Sequence, residues 1–292
     1  MTRRQTIRFL FWCSIAALVV LPVAVSIHLM RVDGLNSELF AAIEQNDSVQ
    51  VRRLLRAGAD PNARQPTSRP TALLDVIRSL LDQARKNPTG DSALIVALSR
   101  AYVVDVPNVH PDNTAVVDAL LHGKADPNLA SQYGEPPLMA ALVGDNGNEV
   151  PYLLMTFGAN VNSTDAHGRT CLMESYDARL TAELIRRGAD INAQDGEGNT
   201  ALMHQADQNP SVAMITQLLS FGATVDQRNN LGYTALREAA FWNRSEMVRL
   251  LIRHGADVNA LDSKRRTILK SIVNGNASKT VIKELKQHGA HE

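Results

Sequence analysis

The side chains able to do chemistry are few and scattered. His110 and Asp112, with Asp105, are the only loosely grouped polar residues suited to acid–base work. All three fall in the stretch 84–114, between Asn87-Pro88-Thr89-Gly90 and Pro107–Asn113. Cys171 precedes Leu172 on an apolar run, where a packed small thiol is the simpler reading than a nucleophile. His204 follows Met203, and a hydrogen-bonded structural role is expected of it. His288 and His291 offer two metal ligands near a chain end, too few for a closed site. Asn46, Asn162, Asn243 and Asn276 each open an Asn-x-Ser/Thr triplet, which matters only in a glycosylating lumen. The nucleophile elbow, phosphate loop, His-Glu-x-x-His and Cys-x-x-Cys patterns are all missing. These residues predict no catalytic centre, no metal and no cofactor.

The 292 residues contain 30 Lys and Arg against 30 Asp and Glu. Setting aside Arg3, Arg4 and Arg8, which precede residue 31 with no acid among them, 27 basic residues face 30 acidic ones. A mildly acidic remainder argues against nucleic-acid binding through phosphate neutralisation. From Phe9 to Met30 run 22 uncharged residues, long enough as a helix for a hydrocarbon core of about 30 Å. Twelve are Leu, Ile, Phe or Val, favouring insertion by about 4–7 kcal/mol before polar penalties. The arginines ahead of it place residues 1–8 in the cytoplasm and the rest beyond the membrane. An uncleaved signal anchor over 9–30 is expected, the alternative being cleavage near Ala24-Val25-Ser26 and release.

The stretches around these residues share a period. Gly-Ala-Asp-Pro-Asn at 58–62 returns in variants that begin at 124, 158, 188, 222 and 255, and as Gly-Ala at 289. The steps are 66, 34, 30, 34, 33 and 34, the first twice 33. Each glycine follows an amphipathic run such as Met247, Val248, Leu250, Leu251, and suits the left-handed end of a helix. Thr71, Thr170, Thr200, Thr234 and Thr267 open the next helix, where a hydroxyl caps free N–H groups. Leu73, Leu172, Leu202, Leu236 and Leu269 then face inward. Turn residues such as Asp195–Asn199 predict projecting hairpins between units. A period near 33 means stacked supersecondary units.

With Thr234-Ala235-Leu236 and Ala239-Ala240, the sequence over about 36–290 resembles the ankyrin-repeat family. The resemblance implies an all-α solenoid of about seven helix pairs with projecting hairpins: 36–57, 71–122, 136–157, 170–187, 200–221, 234–254 and 267–288. Residues 31–35 read as a linker and 36–292 as the repeat domain. An insertion near 84–114 would contain an extra helix, Ser92–Val104; two degenerate repeats are the other reading. Departures from the family pattern are Lys124 at a helix-ending glycine, Arg265 at a hairpin glycine, and the short repeat from 158 to 188, which should trim helices near Asp177.

The resemblance also implies that hairpins and first helices bind proteins through the concave face. Phe241 and Trp242 end a first helix, with Leu231 and Tyr233 on the preceding hairpin. Together they predict an apolar anchor, unless Phe241 packs between helices and only Trp242 is exposed. Lys264, Arg265 and Arg266 form a basic tip suited to steering an acidic partner. Tyr133, His167 and Glu197 stand at equivalent tips. The expected molecule is non-enzymatic, monomeric when unbound and held at the periplasmic side of a bacterial inner membrane, where it binds a protein partner as an inhibitor. A scaffold for two membrane proteins and an enzyme with its site in 84–114 are the alternatives.

Overall fold

The computed structural model describes residues 21–65, 90–99, 113–142, 149–208, 212–273 and 278–291. Two compact units divide the chain, residues 1–129 and 130–292. Every regular element among the described residues is helical.

In the first unit, α1 (Leu21–Glu44) and α2 (Ser48–Ala57) make one pair, α3 (Ala93–Ser99) and α4 (Thr114–His122) the next. The Asp47 carboxylate starts α2 by accepting the N–H groups of Val49 and Gln50 at 3.1 and 2.9 Å. Leu39, Ile43, Val51, Leu94 and Leu120 are at most 1% exposed and form the core.

Residues 31–35, expected as a linker, instead lie inside α1. No proline interrupts them, and Gly34 weakens a helix without ending it. No helix among the described residues is long and apolar enough to cross a membrane. Residues 9–20 of the apolar run lie outside the described residues, and Leu21–Met30 opens α1.

The second pair also departs from expectation. α3 packs on α1 and α4, in the place of a first helix rather than as an extra one. Buried Ser92 starts it, accepting the Ile95 N–H at 3.3 Å, the role expected of Thr71. Arg64 and Ser92 form an isolated antiparallel bridge. Beside it, Gly90 has φ +103°, and a Cβ there would lie 1.9 Å from the Gln65 carbonyl oxygen, so only glycine fits. Residues 66–89, with Thr71 and Leu73, and residues 100–112 lie outside the described residues.

The second unit stacks five pairs: α5 (Pro137–Ala140) with α6 (Val150–Thr156), α7 (Cys171–Glu174) with α8 (Ala178–Arg186), α9 (Ala201–Gln208) with α10 (Val212–Ser220), α11 (Ala235–Phe241) with α12 (Ser245–Arg253), and α13 (Ile268–Val273) with α14 (Lys279–Gln287). First helices pack on first helices from α5 to α13, and second on second from α8 to α14. Leu172, Leu202, Leu236 and Leu269, two residues after each Thr, are at most 1% exposed, as are Leu184, Leu218, Leu251 and Leu285 opposite. Each such burial contributes about 1.5–3 kcal/mol. The short repeat trims α7 to one turn before Ser175-Tyr176-Asp177.

The recurring Asn has a definite task. Asn162 accepts the Asp190 N–H at 2.8 Å, Asn192 the Thr224 N–H at 2.8 Å, and Asn259 the His291 N–H at 3.1 Å. Asp226 serves Asp257 in the same way at 3.0 Å. In the first unit Asn62 accepts the Asp126 N–H and Asn36 the Asp60 N–H. Within each unit these bonds fasten one repeat's loop to the next, and those loop N–H groups are satisfied without a sheet.

Candidate protein-binding face

Hairpins position the candidate residues, and each is built on one polar side chain. Asp165 accepts the N–H groups of His167 and Arg169, Asp195 those of Glu197 and Asn199, Asn229 those of Leu231 and Tyr233, and Asp262 those of Lys264 and Arg266, all at 2.8–3.0 Å. Ser131 does the same for Tyr133 and Glu135 at 3.2 and 3.0 Å. These side-chain turns fix the tip two residues later, so Tyr133, His167, Glu197, Leu231 and Lys264 occupy one register. Successive tips also bond through their backbones: Gly196 donates to His167, Asn230 to Glu197 and Ser263 to Leu231, at 2.8, 3.0 and 2.9 Å. From His167 to Lys264 the tips make a continuous, pre-ordered ladder. All of these tip side chains are exposed, Tyr133 at 78%.

The ladder also explains Arg265. A Cβ on Gly198 or Gly232 would come within 2.7 and 2.6 Å of the following hairpin. Arg265 takes the same left-handed conformation, φ +57°, on a tip that no further hairpin covers among the described residues. Lys124 is left-handed too, at φ +71°, while Gly123 beside it is not. Gly123 is needed for another reason: a Cβ there would sit 2.6 Å from Leu55 Cδ1.

On the sixth repeat Leu231 is 55% exposed, Trp242 47% and Phe241 37%, whereas Tyr233 is half-buried. Phe241 and Trp242 meet edge to face, centroids 5.3 Å apart. Phe241 is therefore not packed away between helices. The core beneath comes from Leu236, Ala239, Met247 and Leu251, with Leu250 only half-buried.

What holds the aromatic group together is Arg237, a residue the sequence reading passed over. Its guanidinium carbon lies 3.7 Å from the Tyr233 ring centre and 4.6 Å from that of Phe241. Desolvated cation–π contacts of this kind reach about 2 kcal/mol. Nη1 donates to Glu238 at 3.1 Å, while the buried Nε has no acceptor. Phe241 stands four residues after Arg237 on α11, whereas Tyr233 reaches it from the hairpin ahead of the helix.

Lys264 and Arg265 are exposed at the last tip. Arg266 is not a free rim cation: it is half-buried, and its guanidinium pairs with Asp262 at 2.8 Å. Burial works to raise the Asp262 carboxyl, but the Arg266 and Lys264 N–H groups and the Arg266 side chain outweigh it and hold its pKa below the usual value. Asp262 and, beyond it, Tyr233 push the Arg266 pKa up.

The catalytic alternatives gain nothing. His110, Asp112 and Asp105 lie outside the described residues. Cys171 is fully buried, and burial pushes its thiol up to about 12, far from a reactive thiolate. His204 Nε2 meets the Asp195 carboxylate at 2.7 Å, bracing a hairpin. His288 is bonded to the Glu284 carbonyl, and no group of three or more metal-ligating side chains occurs among the described residues.

Helix pairs stacked at this period, joined by hairpins, have the ankyrin-repeat fold. Residues 174–262 match the family model for ankyrin repeats (3 copies). The fold resembles that of the ankyrin repeat domain of Bcl-3, a member of the IkappaB protein family, with a TM-score of 0.62 and 22% identity over 85% of this chain and 97% of that one. Among curated relatives, the potassium channel AKT2/3 of Arabidopsis thaliana is 28% identical over 146 residues, half of this chain, and human inversin 30% over 177 residues, 59% of it. The matched regions span only 18% and 16% of those two proteins.

Proposed function

We propose that this chain is a non-enzymatic protein-binding module, tethered by Phe9–Met30 with its repeats on the extracytoplasmic side of a membrane. The observation that carries the binding assignment is the exposed Leu231–Trp242–Phe241 group seated on a hairpin ladder that is ordered before any partner arrives. Such preorganisation lowers the entropy lost on association. The tether and its direction rest on the uncharged run and on Arg3, Arg4 and Arg8.

The test is site-directed photocrosslinking from position 231 in membranes, alongside Trp242→Ala. A discrete crosslinked partner, lost in the variant with an affinity drop of about 2 kcal/mol or more, is expected. One partner fits an inhibitor and two fit a scaffold. Crosslinks unchanged by Trp242→Ala would remove the face from consideration. A reporter fused after residue 35 tests the topology, with activity only outside the cytoplasm expected.

A further inference from the structure

The face carries a charge pattern that the chain as a whole does not. The last two hairpins (229–233 and 262–266) and the first helices that follow them (α11 and α13) carry Arg237, Lys264, Arg265, Arg266 and Lys270 against Glu238 and Asp262. Both carboxylates are taken, Glu238 by Arg237 at 3.1 Å and Asp262 by Arg266 at 2.8 Å. Lys264, Arg265 and Lys270 are exposed, without a carboxylate partner among the described residues. Lys270 occupies in its repeat the register of Arg237, three residues after the capping Thr, and α13 packs directly on α11. The positive field is thus local to the last two repeats, and exposed Glu197 on the adjoining tip bounds it. A chain with no net charge has concentrated cations beside exposed Leu231, Phe241 and Trp242.

Arg237 sharpens this. A guanidinium offers five donors. Here its plane is covered by two rings, one nitrogen is spent on Glu238, and the buried Nε–H has no acceptor.

We infer that the partner presents an acidic polypeptide segment with an aromatic or large apolar residue among its carboxylates. The apolar residue lies against Leu231 and Trp242, and carboxylates meet Lys264, Arg265 and Lys270. This deepens the proposed function and rests on it. A polypeptide is favoured over nucleic acid because the cationic patch is short and its centre is apolar, whereas phosphate tracking needs an extended basic stripe.

The experiment is selection of displayed random peptides on the full-length protein in detergent, followed by binding measurements on synthetic copies. Each is measured against wild type, Trp242→Ala and the triple variant Lys264→Glu, Arg265→Glu, Lys270→Glu, with circular dichroism to establish that both variants are folded. Expected are peptides enriched in Asp and Glu around an aromatic residue, weakened about tenfold or more by each variant, with a salt dependence that the triple variant removes. Peptides that need Trp242 but carry no acidic enrichment and ignore the triple variant would overturn the inferred chemistry and leave the binding face standing. A selection yielding nothing sensitive to Trp242→Ala would remove the face itself. A single-stranded oligonucleotide that outcompetes the acidic peptides, and is lost in the triple variant, would overturn the inference in favour of nucleic acid.

Discussion

Lys124 and Gly255 are a reciprocal pair in which one backbone conformation is held by opposite residue types. Both are left-handed, at φ +71° and +88°, and both end a second helix. Nothing lies within 4 Å of a Cβ built on Gly255, so Gly255→Ala introduces backbone strain without a clash. An L-residue in this region costs about 1–2 kcal/mol. Against that, losing the extra unfolded-state freedom of glycine returns about 0.4–1 kcal/mol. Gly255→Ala should therefore destabilise by about 0.5–1 kcal/mol, and Gly255→Val, with a branched Cβ, by more than about 1 kcal/mol. Lys124→Gly reverses the exchange and should stabilise by about 0.5 kcal/mol. The reporters are the amides that close each helix end, Ala125 bonded to Leu120 at 2.9 Å and Ala256 to Leu251 at 3.0 Å. Hydrogen exchange should show Ala125 gaining protection in Lys124→Gly and Ala256 losing it in Gly255→Ala. Loss of protection at both would refute the reasoning, because the lysine would then be contributing contacts that outweigh its strain.

Asn192→Ala leaves the Thr224 N–H without its acceptor and should cost about 1 kcal/mol, read as a lower urea midpoint; an unchanged midpoint would make the fastening incidental. Cys171, with its pKa near 12, should resist iodoacetamide at pH 8 in the native protein and react once denatured; rapid native alkylation would mean that the thiol is accessible. Asp165, Asp195 and Asp262 have folded pKa values below their ordinary 3.8, so their contribution is complete above that value and is lost as pH falls through the folded pKa. As pH falls below 3.8 and through the folded pKa of Asp195, the amides of Glu197 and Asn199 should lose exchange protection while those of Leu231 and Tyr233, held by non-titrating Asn229, keep theirs; loosening of all the hairpins in step would point to global unfolding instead.

Repetition made the solenoid readable, since each Gly–Ala–Asp, each Thr and each inward Leu marks its place several times over. Where repetition failed, so did the reading. The second pair lost its register because Ser92 stands in the capping role that the repeat pattern assigned to Thr71. Residues 31–35 read as a linker because a period measured from the repeat loops carries no information about a segment ahead of the first of them. Of the face, exposed Trp242 and Leu231 follow from register alone. Arg237 does not, because its role depends on two rings closing over it, and the engagement of Arg266 depends on Asp262 four residues earlier having a second carboxylate oxygen free.

The unbroken run of α1 from Leu21 to Glu44 has a mechanical consequence. If Phe9–Met30 is embedded as proposed, the same helix that leaves the bilayer carries Leu39 and Ile43 into the first core, with no swivel between. Every residue inserted at 31–35 would then turn the first repeats by about 100° and lift them about 1.5 Å. On that proposal a stiff stem of this kind would give those repeats a heading and a height above the lipid surface. It would narrow the volume that they sweep and raise their effective concentration toward anything confined to the same shell of space.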